Sequence, residues 1–403
     1  MDLLICEGGR ESGLFPLTHT RATFDLWCGA RSLKSRIEAA YGVTSSFLGV
    51  RDEILAVTAE SFPGSTVNQW PAGALLIING RALWSAKLAE QIPLDGPDRV
   101  YMSGNDTVAA RLSESPQAAD KFSNALSLAP SSLPITTVEA TVIRYPWELV
   151  RENGQQIIAD AAGEPGLARD ISARPNGTQL IAPERIILAD DVNLGAGAVI
   201  DATGGPVIIA SGAKVGHNAV IMGPVYVGAD TIINPGAHIL GGTTLGDACK
   251  IGGEVRQSIV LACSNKQHDG FLGHSYLGSW VNLGAGTTNS NLKNTYGSVK
   301  VPVDGEWLDS GELFVGATLG DHTMTGIGTL LNSGTAVGVG CNIFGGGMIT
   351  GVVPNFSWGG ADKLEPYRID KMLEVAALAM ARRQMSLSSA QEALLRRLAA
   401  TTD

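Results

Sequence analysis

Apolar residues recur at every sixth position through much of the second half of the chain. From Ile209, each step of six reaches an aliphatic side chain, at Val215, Ile221, Val227, Ile233, Ile239, Leu245 and Ile251. The same step joins Leu188, Leu194 and Ile200, and a second run comprises Leu313, Leu319, Thr325, Leu331, Val337, Ile343 and Ile349. This period matches neither a helix, at 3.6 residues, nor an alternating strand, at two. It predicts a solenoid of short strands that turns a corner every six residues and points one aliphatic side chain per strand into a triangular core.

Glycine and charge mark the limits of this solenoid. Of the 50 glycines, 35 lie between residues 188 and 360, whereas only six Lys or Arg fall in that stretch. Glycine adopts positive φ without steric cost, so it suits the corners of such a coil. Together these features predict a left-handed parallel β-helix of hexapeptide repeats over residues 185–361.

The six-residue step is broken twice. One break lies between Ile251 and Leu277, and the other between Leu283 and Leu313. We expect loops to leave the coil at both breaks. Functional residues concentrate on loops that a rigid scaffold positions, so these two segments are the first places to look for a site.

The first 184 residues predict a separate α/β domain. Short apolar runs at 3–6, 54–58, 74–78 and 99–102 favour strands, and the segments SLKSRIEAAYG and TVAARLSES favour helices. Such alternation is typical of a Rossmann-like fold with a largely parallel sheet.

The last segment, 362–403, has helical spacing. Its apolar residues include positions 369, 372, 373, 376 and 380, and Ser388 or Ser389 is placed to cap a second helix. This pattern predicts a helical C-terminal cap, packed on the end of the solenoid or on a neighbouring subunit.

Charge and cysteine content narrow the class of protein. The formal net charge is −10, which disfavours a nucleic acid partner because few cations are available to neutralise phosphates. The five cysteines stand singly, without a C-x-x-C pair, and indicate neither a zinc cluster nor a disulfide framework. Without a secretory leader or an 18-residue apolar run, we expect a cytoplasmic protein that does not enter a membrane.

The segment 253–292 contains the highest concentration of candidate catalytic and binding residues. His268 and His274 lie there together with Arg256 and Lys266, a third of the solenoid's Lys and Arg. In a region so poor in charge, two cations near an imidazole indicate an anionic substrate beside a general base. The alternative is that all four are solvated loop residues.

The same segment resembles a known family. The stretch H-S-Y-L-G from His274, V-N-L-G-A-G-T from Val281, and then Asn291 are similar to the acetyltransferase half of the bacterial bifunctional N-acetylglucosamine-1-phosphate uridylyltransferase/glucosamine-1-phosphate acetyltransferases. The family motif runs H-x-x-Y-L-G and N-x-G-A-G-T, with an Asn nine residues after the first. Here one residue is missing before Tyr276, while Asn282 and Asn291 keep the nine-residue step. A closer resemblance, to a variant branch of that family with an atypical N-terminal nucleotidyltransferase domain, is carried by the segments EVRQS, SNKQHDGFLG and NSNLKNTYGSVKV and by the ending NFSWGG.

The resemblance implies acetyl-CoA-dependent N-acetylation of a hexosamine-1-phosphate by a homotrimer with active sites between subunits. His274 would be the base that takes a proton from the attacking amine. The implied sugar-phosphate ligands are Arg256, Lys266, Tyr276 and Asn282. The implied acetyl-CoA contacts are Ala285, whose backbone would donate to the thioester oxyanion, Asn291, Ala317 and Ser333. Leu292 stands where the family has Tyr.

The N-terminus is similar to the phosphate loop of sugar-1-phosphate nucleotidylyltransferases. Gly8, Gly9 and Arg10 would surround a nucleoside triphosphate, and Asn79 stands where the family has the Asp that binds Mg²⁺. A neutral amide is a poorer Mg²⁺ ligand than a carboxylate, and Asp106 or Asp160 could serve instead, so the metal ligands stay open. Retained nucleotidyl transfer, giving a nucleotide sugar, and a degenerate structural domain are equally compatible with this segment.

Three other functions stay open. The chain could be a sugar-1-phosphate nucleotidylyltransferase whose β-helix serves only oligomerisation or regulation, or a non-catalytic binder of nucleotide sugars. A zinc hydratase of the β-helical carbonic anhydrase type would need three converging histidines, and no spacing here matches that pattern. Replacement of His274 by Ala separates acetyl transfer from the nucleotidylyltransferase function, because only acetyl transfer should be lost. Turnover of a sugar phosphate would exclude a non-catalytic binder. Metal analysis of the purified protein tests the zinc hydratase.

Overall fold

The N-terminal part of the chain is built on a seven-stranded mixed sheet. The computed structural model describes residues 2–116, 121–162 and 177–401. The strands are β1 Asp2–Cys6, β2 Phe47–Gly49, β3 Thr66–Val67, β4 Leu75–Asn79, β5 Arg99–Ser103, β6 Asp106–Leu112 and β7 Ile135–Thr137. Their order is β3-β2-β1-β4-β6-β5-β7, and β6 runs antiparallel to both neighbours. Strands β1 and β4 read as unbroken apolar runs because both faces of the sheet are covered.

The described N-terminal residues also form four helices: α1 Leu33–Tyr41, α2 Leu55–Ser61, α3 Ala86–Gln91 and α4 Pro146–Ala161. Two sequence expectations are wrong here. The run at 54–58 opens α2 instead of forming a strand, and its buried Ile54, Val57 and Thr58 have the spacing of one helix face. The segment TVAARL forms β6 instead of a helix, because it lies between β4 and β5 and buries both of its faces.

The second half of the chain is a parallel β-helix with three faces, as the six-residue step predicts. Face A consists of Asn193–Leu194, Lys214–Val215, Ile232–Ile233, Lys250–Ile251, Asn265–Lys266, Asn282–Leu283, Met324–Thr325, Asn342–Ile343, Ser357–Gly359 and the antiparallel Leu364–Pro366. Face B consists of Ile186–Leu188, Val207–Ile209, Val225–Val227, Thr243–Leu245, Ile259–Val260, Tyr276–Leu277, Thr318–Leu319, Ala336–Val337 and Val352–Val353. Face C consists of Gln179–Ile181, Val199–Asp201, Val220–Met222, His238–Leu240, Glu254–Arg256 and Phe271–Gly273, followed by Thr288–Asn289, Leu330–Leu331 and Met348–Ile349.

The inward positions follow the predicted register. Val227 pairs with Leu245, one full coil of eighteen residues later, and both side chains are buried in a core that runs along the helix. Thr325 also points inward, where its hydroxyl lies 2.7 Å from that of Thr287. Leu313 does not belong to this set, because it is 41% exposed and lies outside the coil. The first strand, Gln179–Ile181, pairs with face C ahead of residue 185, where the sequence places the start of the β-helix.

The two breaks in the repeat have different causes. At the first break no loop leaves the coil, so that expectation is wrong. Leu245 pairs with Val260, and Val260 pairs with Leu277. The two coils between these residues are shortened, to fifteen and seventeen residues. At the second break the expectation is confirmed, because Leu277 pairs with Leu319, 42 residues later. That insertion carries an antiparallel hairpin, Lys300–Val303 with Glu306–Asp309.

The tail forms two helices, as predicted: α5 Ile369–Ala381 and α6 Ser389–Ala400. Helix α5 buries Met372 against Phe356 and so caps the last coil. Ser388 caps α6 by accepting a hydrogen bond from the Gln391 amide, and Leu394 of α6 packs into the core of the N-terminal part. The tail therefore connects the far end of the β-helix to the N-terminal sheet.

Face B is the surface on which the N-terminal part packs. Asn153 of α4 is fully buried there and donates to the Gly242 carbonyl at 2.8 Å and to Thr244 Oγ1 at 3.0 Å. Thr244 in turn donates to the Gly29 carbonyl at 2.8 Å. Among the described residues, no helix combines the length and the apolar character needed to cross a bilayer.

Candidate functional site

A cavity of about 440 Å³ lies where α4 meets the corner between faces B and C. Its walls come from α4, from face C and its turns, and from the insertion after the second break. The lining residues are Trp147, Val150, Arg151, Arg256, Gln257, Phe271, His274, Asn291, Glu312, Leu313 and Phe314. The cavity therefore brings together segments up to 167 positions apart in the sequence.

His274 occupies the corner itself, with a backbone φ of 50°. Side chains other than glycine rarely adopt this left-handed conformation, and here it follows from the turn between two faces of the coil. The Nδ1 atom of His274 lies 2.8 Å from Nδ2 of Asn291, and its ring stacks on Phe314 with the ring centroids 5.0 Å apart. Asn291 therefore holds one edge of the imidazole, and Phe314 covers one face.

The electrostatic surroundings keep His274 neutral. Burial, and secondly the positive charge of Arg256, lower the pKa of His274 to about 4, against the opposing effect of Glu312. The ring is thus uncharged near pH 7, which is the form that a proton acceptor needs.

Of the residues expected at the site, the structure brings Arg256 and Asn291 to His274. Lys266 does not line this cavity. It is 2% exposed and points into the coil, where it donates to the Gly252 carbonyl at 3.0 Å and the His268 carbonyl at 2.7 Å. Burial lowers the pKa of Lys266 to about 8. The ammonium group that is expected to bind phosphate therefore donates to two backbone carbonyls instead.

Tyr276 and Asn282 also lie elsewhere. The Tyr276 hydroxyl is buried between face B and the N-terminal part, where it accepts from the Trp27 amide at 2.9 Å and donates to the Trp27 carbonyl at 3.1 Å. Asn282 is on face A, with its Oδ1 3.4 Å from the Asn265 amide group. Neither side chain reaches the cavity of His274 in this single chain.

The expected acetyl-CoA positions are spread along later coils. The Ala285 carbonyl accepts from the Gly328 amide at 2.7 Å, and Ala317 is buried with its amide on Ser275 Oγ at 3.0 Å. Ser333 lies in the turn after Leu330–Leu331 and is half-buried. None of these three residues lines the cavity. Of the four expected acetyl-CoA contacts, only Asn291 therefore lies beside the expected base, His274.

The sequence reasoning missed the residues that other segments supply to the cavity. Arg151 and Trp147 come from α4, and Glu312 and Phe314 from the insertion. The insertion was marked as a candidate by the break in the repeat, but helix α4 carries no motif. Only its packing against face B places Arg151 near His274.

The expected phosphate loop follows β1. Gly8, Gly9 and Arg10 all have positive φ, at 78°, 66° and 62°. A side chain at Gly8 would collide with Asn79, since its Cβ would lie 2.3 Å from Asn79 Oδ1. Gly8 and Asn79 are thus neighbours.

The side chains considered as Mg²⁺ ligands are engaged in other contacts. Both ends of the Asn79 amide are occupied, by the Thr107 carbonyl at 2.9 Å and the Arg81 amide at 3.1 Å. Asp106 is ion-paired with Arg144, and Asp160 with Arg36 at 2.7 Å on the side facing the β-helix. Within the described ranges, no group of three or more His, Cys, Asp or Glu side chains is arranged to hold a metal ion.

A nucleotidyltransferase-type sheet joined to a hexapeptide β-helix defines a two-part class of protein, and comparisons with known proteins agree with it. Residues 3–164 match the family described as sugar nucleotidyl transferase. The resemblance seen in the motifs is confirmed, because bifunctional GlmU proteins are among the relatives to which this chain is similar. The bifunctional protein GlmU of Synechococcus sp. (strain CC9311) is 30% identical over 176 residues, 42% of this chain and 33% of that protein.

Other relatives match similar lengths. The bifunctional sugar-1-phosphate nucleotidylyltransferase/acetyltransferase of Sulfurisphaera tokodaii is 35% identical over 147 residues, 36% of this chain and 37% of that protein. GlmU of Bartonella quintana is 29% identical over 227 residues, 54% and 46% of the two chains. The chain thus spans between a third and a half of the length of these relatives.

Solved structures match less closely. The Arabidopsis UDP-N-acetylglucosamine acyltransferase aligns with a TM-score of 0.28 and 13% identity, over 52% of this chain and 78% of that one. The corresponding enzyme from Campylobacter jejuni gives a TM-score of 0.20 and 15% identity, over 56% and 94% of the two chains.

Proposed function

We propose that this protein is a sugar-phosphate transferase that N-acetylates a hexosamine-1-phosphate from acetyl-CoA, with His274 as the general base. The observation that carries the proposal is the arrangement of a neutral, immobilised imidazole beside Arg256 in one cavity. An anionic amino sugar would place its phosphate against the guanidinium and its amine against the ring.

In the proposed reaction, His274 takes part in one proton transfer. The amine nitrogen attacks the thioester carbonyl, the C–S bond breaks, and the amine proton passes to the imidazole while the thiolate of CoA leaves and is then protonated. A neutral imidazole suits the first of these transfers near pH 7.

Asn291 decides which ring nitrogen can act. For Nε2 to accept a proton, Nδ1 must carry hydrogen and donate it to Asn291 Oδ1 across the 2.8 Å contact. The amide has nearly the same shape in both orientations, so this needs only a rotation of its O and N atoms. In the opposite orientation Nδ1 accepts, Nε2 carries the hydrogen, and the ring is a donor toward the cavity.

We propose nucleotidyl transfer only as a second activity. The match of residues 3–164 to sugar nucleotidyl transferases supports it, and so does the position of Gly8 beside Asn79. Asp106 and Asp160 are both engaged in ion pairs, and no step is assigned to the metal.

We further propose a cytoplasmic homotrimer. Apolar side chains are exposed on the later strands and turns of face C, among them Ile327 at 81%, Leu330 and Met348. A second copy of the chain on this face would bury them. It would also supply the contacts to acetyl-CoA that a single chain does not complete.

A panel assay tests the proposal. Purified protein is incubated with acetyl-CoA and glucosamine 1-phosphate, galactosamine 1-phosphate or glucosamine, and products are identified by mass spectrometry. Pyrophosphate release is followed separately with each nucleoside triphosphate and the N-acetylated product. We expect acetylation of a phosphorylated amino sugar. Pyrophosphate release without acetylation of any amino sugar would favour the nucleotidylyltransferase alternative.

A further inference from the structure

One wall of the His274 cavity belongs to the N-terminal part of the chain. Trp147, Val150 and Arg151 of α4 are spaced by three and four residues, so they share one helix face, and all three line the cavity. His274 and Arg256 belong to the β-helix. The cavity is therefore completed by both parts of the chain.

Helix α4 is fixed in this place. Asn153 makes two hydrogen bonds across the junction, to the Gly242 carbonyl and to Thr244 Oγ1, and its Oδ1 accepts from the Gly29 amide of its own N-terminal part at 2.7 Å. Buried amides that satisfy all their partners resist displacement. The backbone of Arg151, two residues earlier, is thus held against the cavity.

The charges of the cavity favour an anion. Two guanidinium groups, those of Arg151 and Arg256, and one carboxylate, that of Glu312, line it. Arg151 Nη1 lies 3.0 Å from Glu312 Oε1, and its Nε lies 3.0 Å from Glu152 Oε1. Glu312 therefore holds the Arg151 side chain near the cavity, and the side chains that line the cavity carry two positive charges and one negative charge.

The second cation expected from the sequence is engaged elsewhere. The Lys266 ammonium is buried on two backbone carbonyls, which leaves Arg256 as the only β-helix cation among the lining residues. A phosphate dianion is bound best by more than one cation, and a guanidinium offers it two parallel N–H groups.

We propose that Arg151 binds the phosphate of the acetyl acceptor together with Arg256, so that the N-terminal part selects phosphorylated amino sugars for the β-helix. The inference rests on the proposed function and names the substrate class of the same site. It also gives the N-terminal part a role in acetyl transfer that does not require nucleotidyl transfer.

Steady-state kinetics on the full chain test it, with R151Q, R151K and R256Q compared with wild type. For R151Q we expect the KM for glucosamine 1-phosphate to rise about 10–100-fold, the usual effect of losing hydrogen bonds to a charged group. The KM for acetyl-CoA and the kcat/KM for unphosphorylated glucosamine should stay within about threefold, and R151K should recover part of the loss. R185Q, at an exposed arginine of the β-helix start, is the matched control.

Equal losses with phosphorylated and unphosphorylated sugar would show that Arg151 only supports the fold, and an unchanged KM would show that it does not contact the substrate. Either result overturns the inference while wild-type acetylation stands. Calorimetric binding of glucosamine 1-phosphate to wild type, R151Q and H274Q gives an independent readout. Binding that R151Q weakens and H274Q keeps supports the inference even if the wild type transfers no acetyl group.

Discussion

The charge of Arg256 should contribute to the low pKa of His274, and the variant Arg256→Gln isolates this contribution. Burial lowers the pKa of His274 most, Arg256 adds to the lowering, and Glu312 opposes it, with a result of about 4 against an ordinary 6.5. Because Arg256 is the smaller of the two lowering causes, its removal should raise the pKa by about one pH unit, at the low end for a charge at close range.

The same difference affects stability in acid. The folded chain binds the His274 proton less tightly than the unfolded chain, so a fall in pH from 6.5 through about 4 destabilises the fold. At 1.36 kcal/mol per pH unit, this contribution is about 3 kcal/mol in wild type and about 2 kcal/mol in Arg256→Gln. The variant should therefore lose about 1 kcal/mol less between pH 7 and pH 4.

Histidine NMR measures the pKa directly. The ring Cε1–Hε1 signals of the six histidines are titrated, and His274→Gln identifies the relevant one. Arg185→Gln removes an equivalent charge from an exposed position and should leave the His274 signal unchanged. A His274 pKa that stays the same or falls in Arg256→Gln would refute the electrostatic reasoning.

Three further substitutions test the placement of individual residues. Asp321→Asn breaks a buried ion pair with Arg21, whose Nη2 lies 2.6 Å from Oδ2, and should cost about 3 kcal/mol of unfolding free energy in urea. A loss below about 1 kcal/mol would show that this junction is solvated. Lys266→Met leaves two backbone carbonyls without their donor and should cost about 2 kcal/mol with an unchanged KM for the sugar phosphate. A higher KM for the sugar phosphate at unchanged stability would show that Lys266 binds the substrate. Tyr276→Phe removes both bonds to the Trp27 backbone and should cost about 1–2 kcal/mol without changing the KM, whereas a KM effect alone would restore its expected sugar contact.

The β-helix could be predicted from the sequence because its core repeats. Each inward aliphatic, such as Val227 and Leu245, stacks on the residue one coil away, so one local rule repeats along the whole face. The N-terminal sheet has no such repetition. The segment TVAARL became β6 because its neighbours cover it on both sides, which is a tertiary effect that its own composition does not contain.

The site was predictable only where its residues are close in sequence. His274 and Asn291 lie in one motif and do meet, and Arg256 reaches them through adjacent strands of face C. Arg151 was not predictable, since only the packing of α4 on face B places it there. Lys266 carried the right charge in the right segment, but its register on face A turns it inward, opposite Ile251.

The role of His274 is tested most directly by acetyl transfer in His274→Gln, with His238→Gln as control because the His238 imidazole is exposed on face C. With acetyl-CoA and glucosamine 1-phosphate, loss of the base should lower kcat about 10²–10⁴-fold. Binding of glucosamine 1-phosphate should persist, and His238→Gln should match wild type. A His274→Gln enzyme that keeps wild-type kcat would contradict the assignment of His274 as the base.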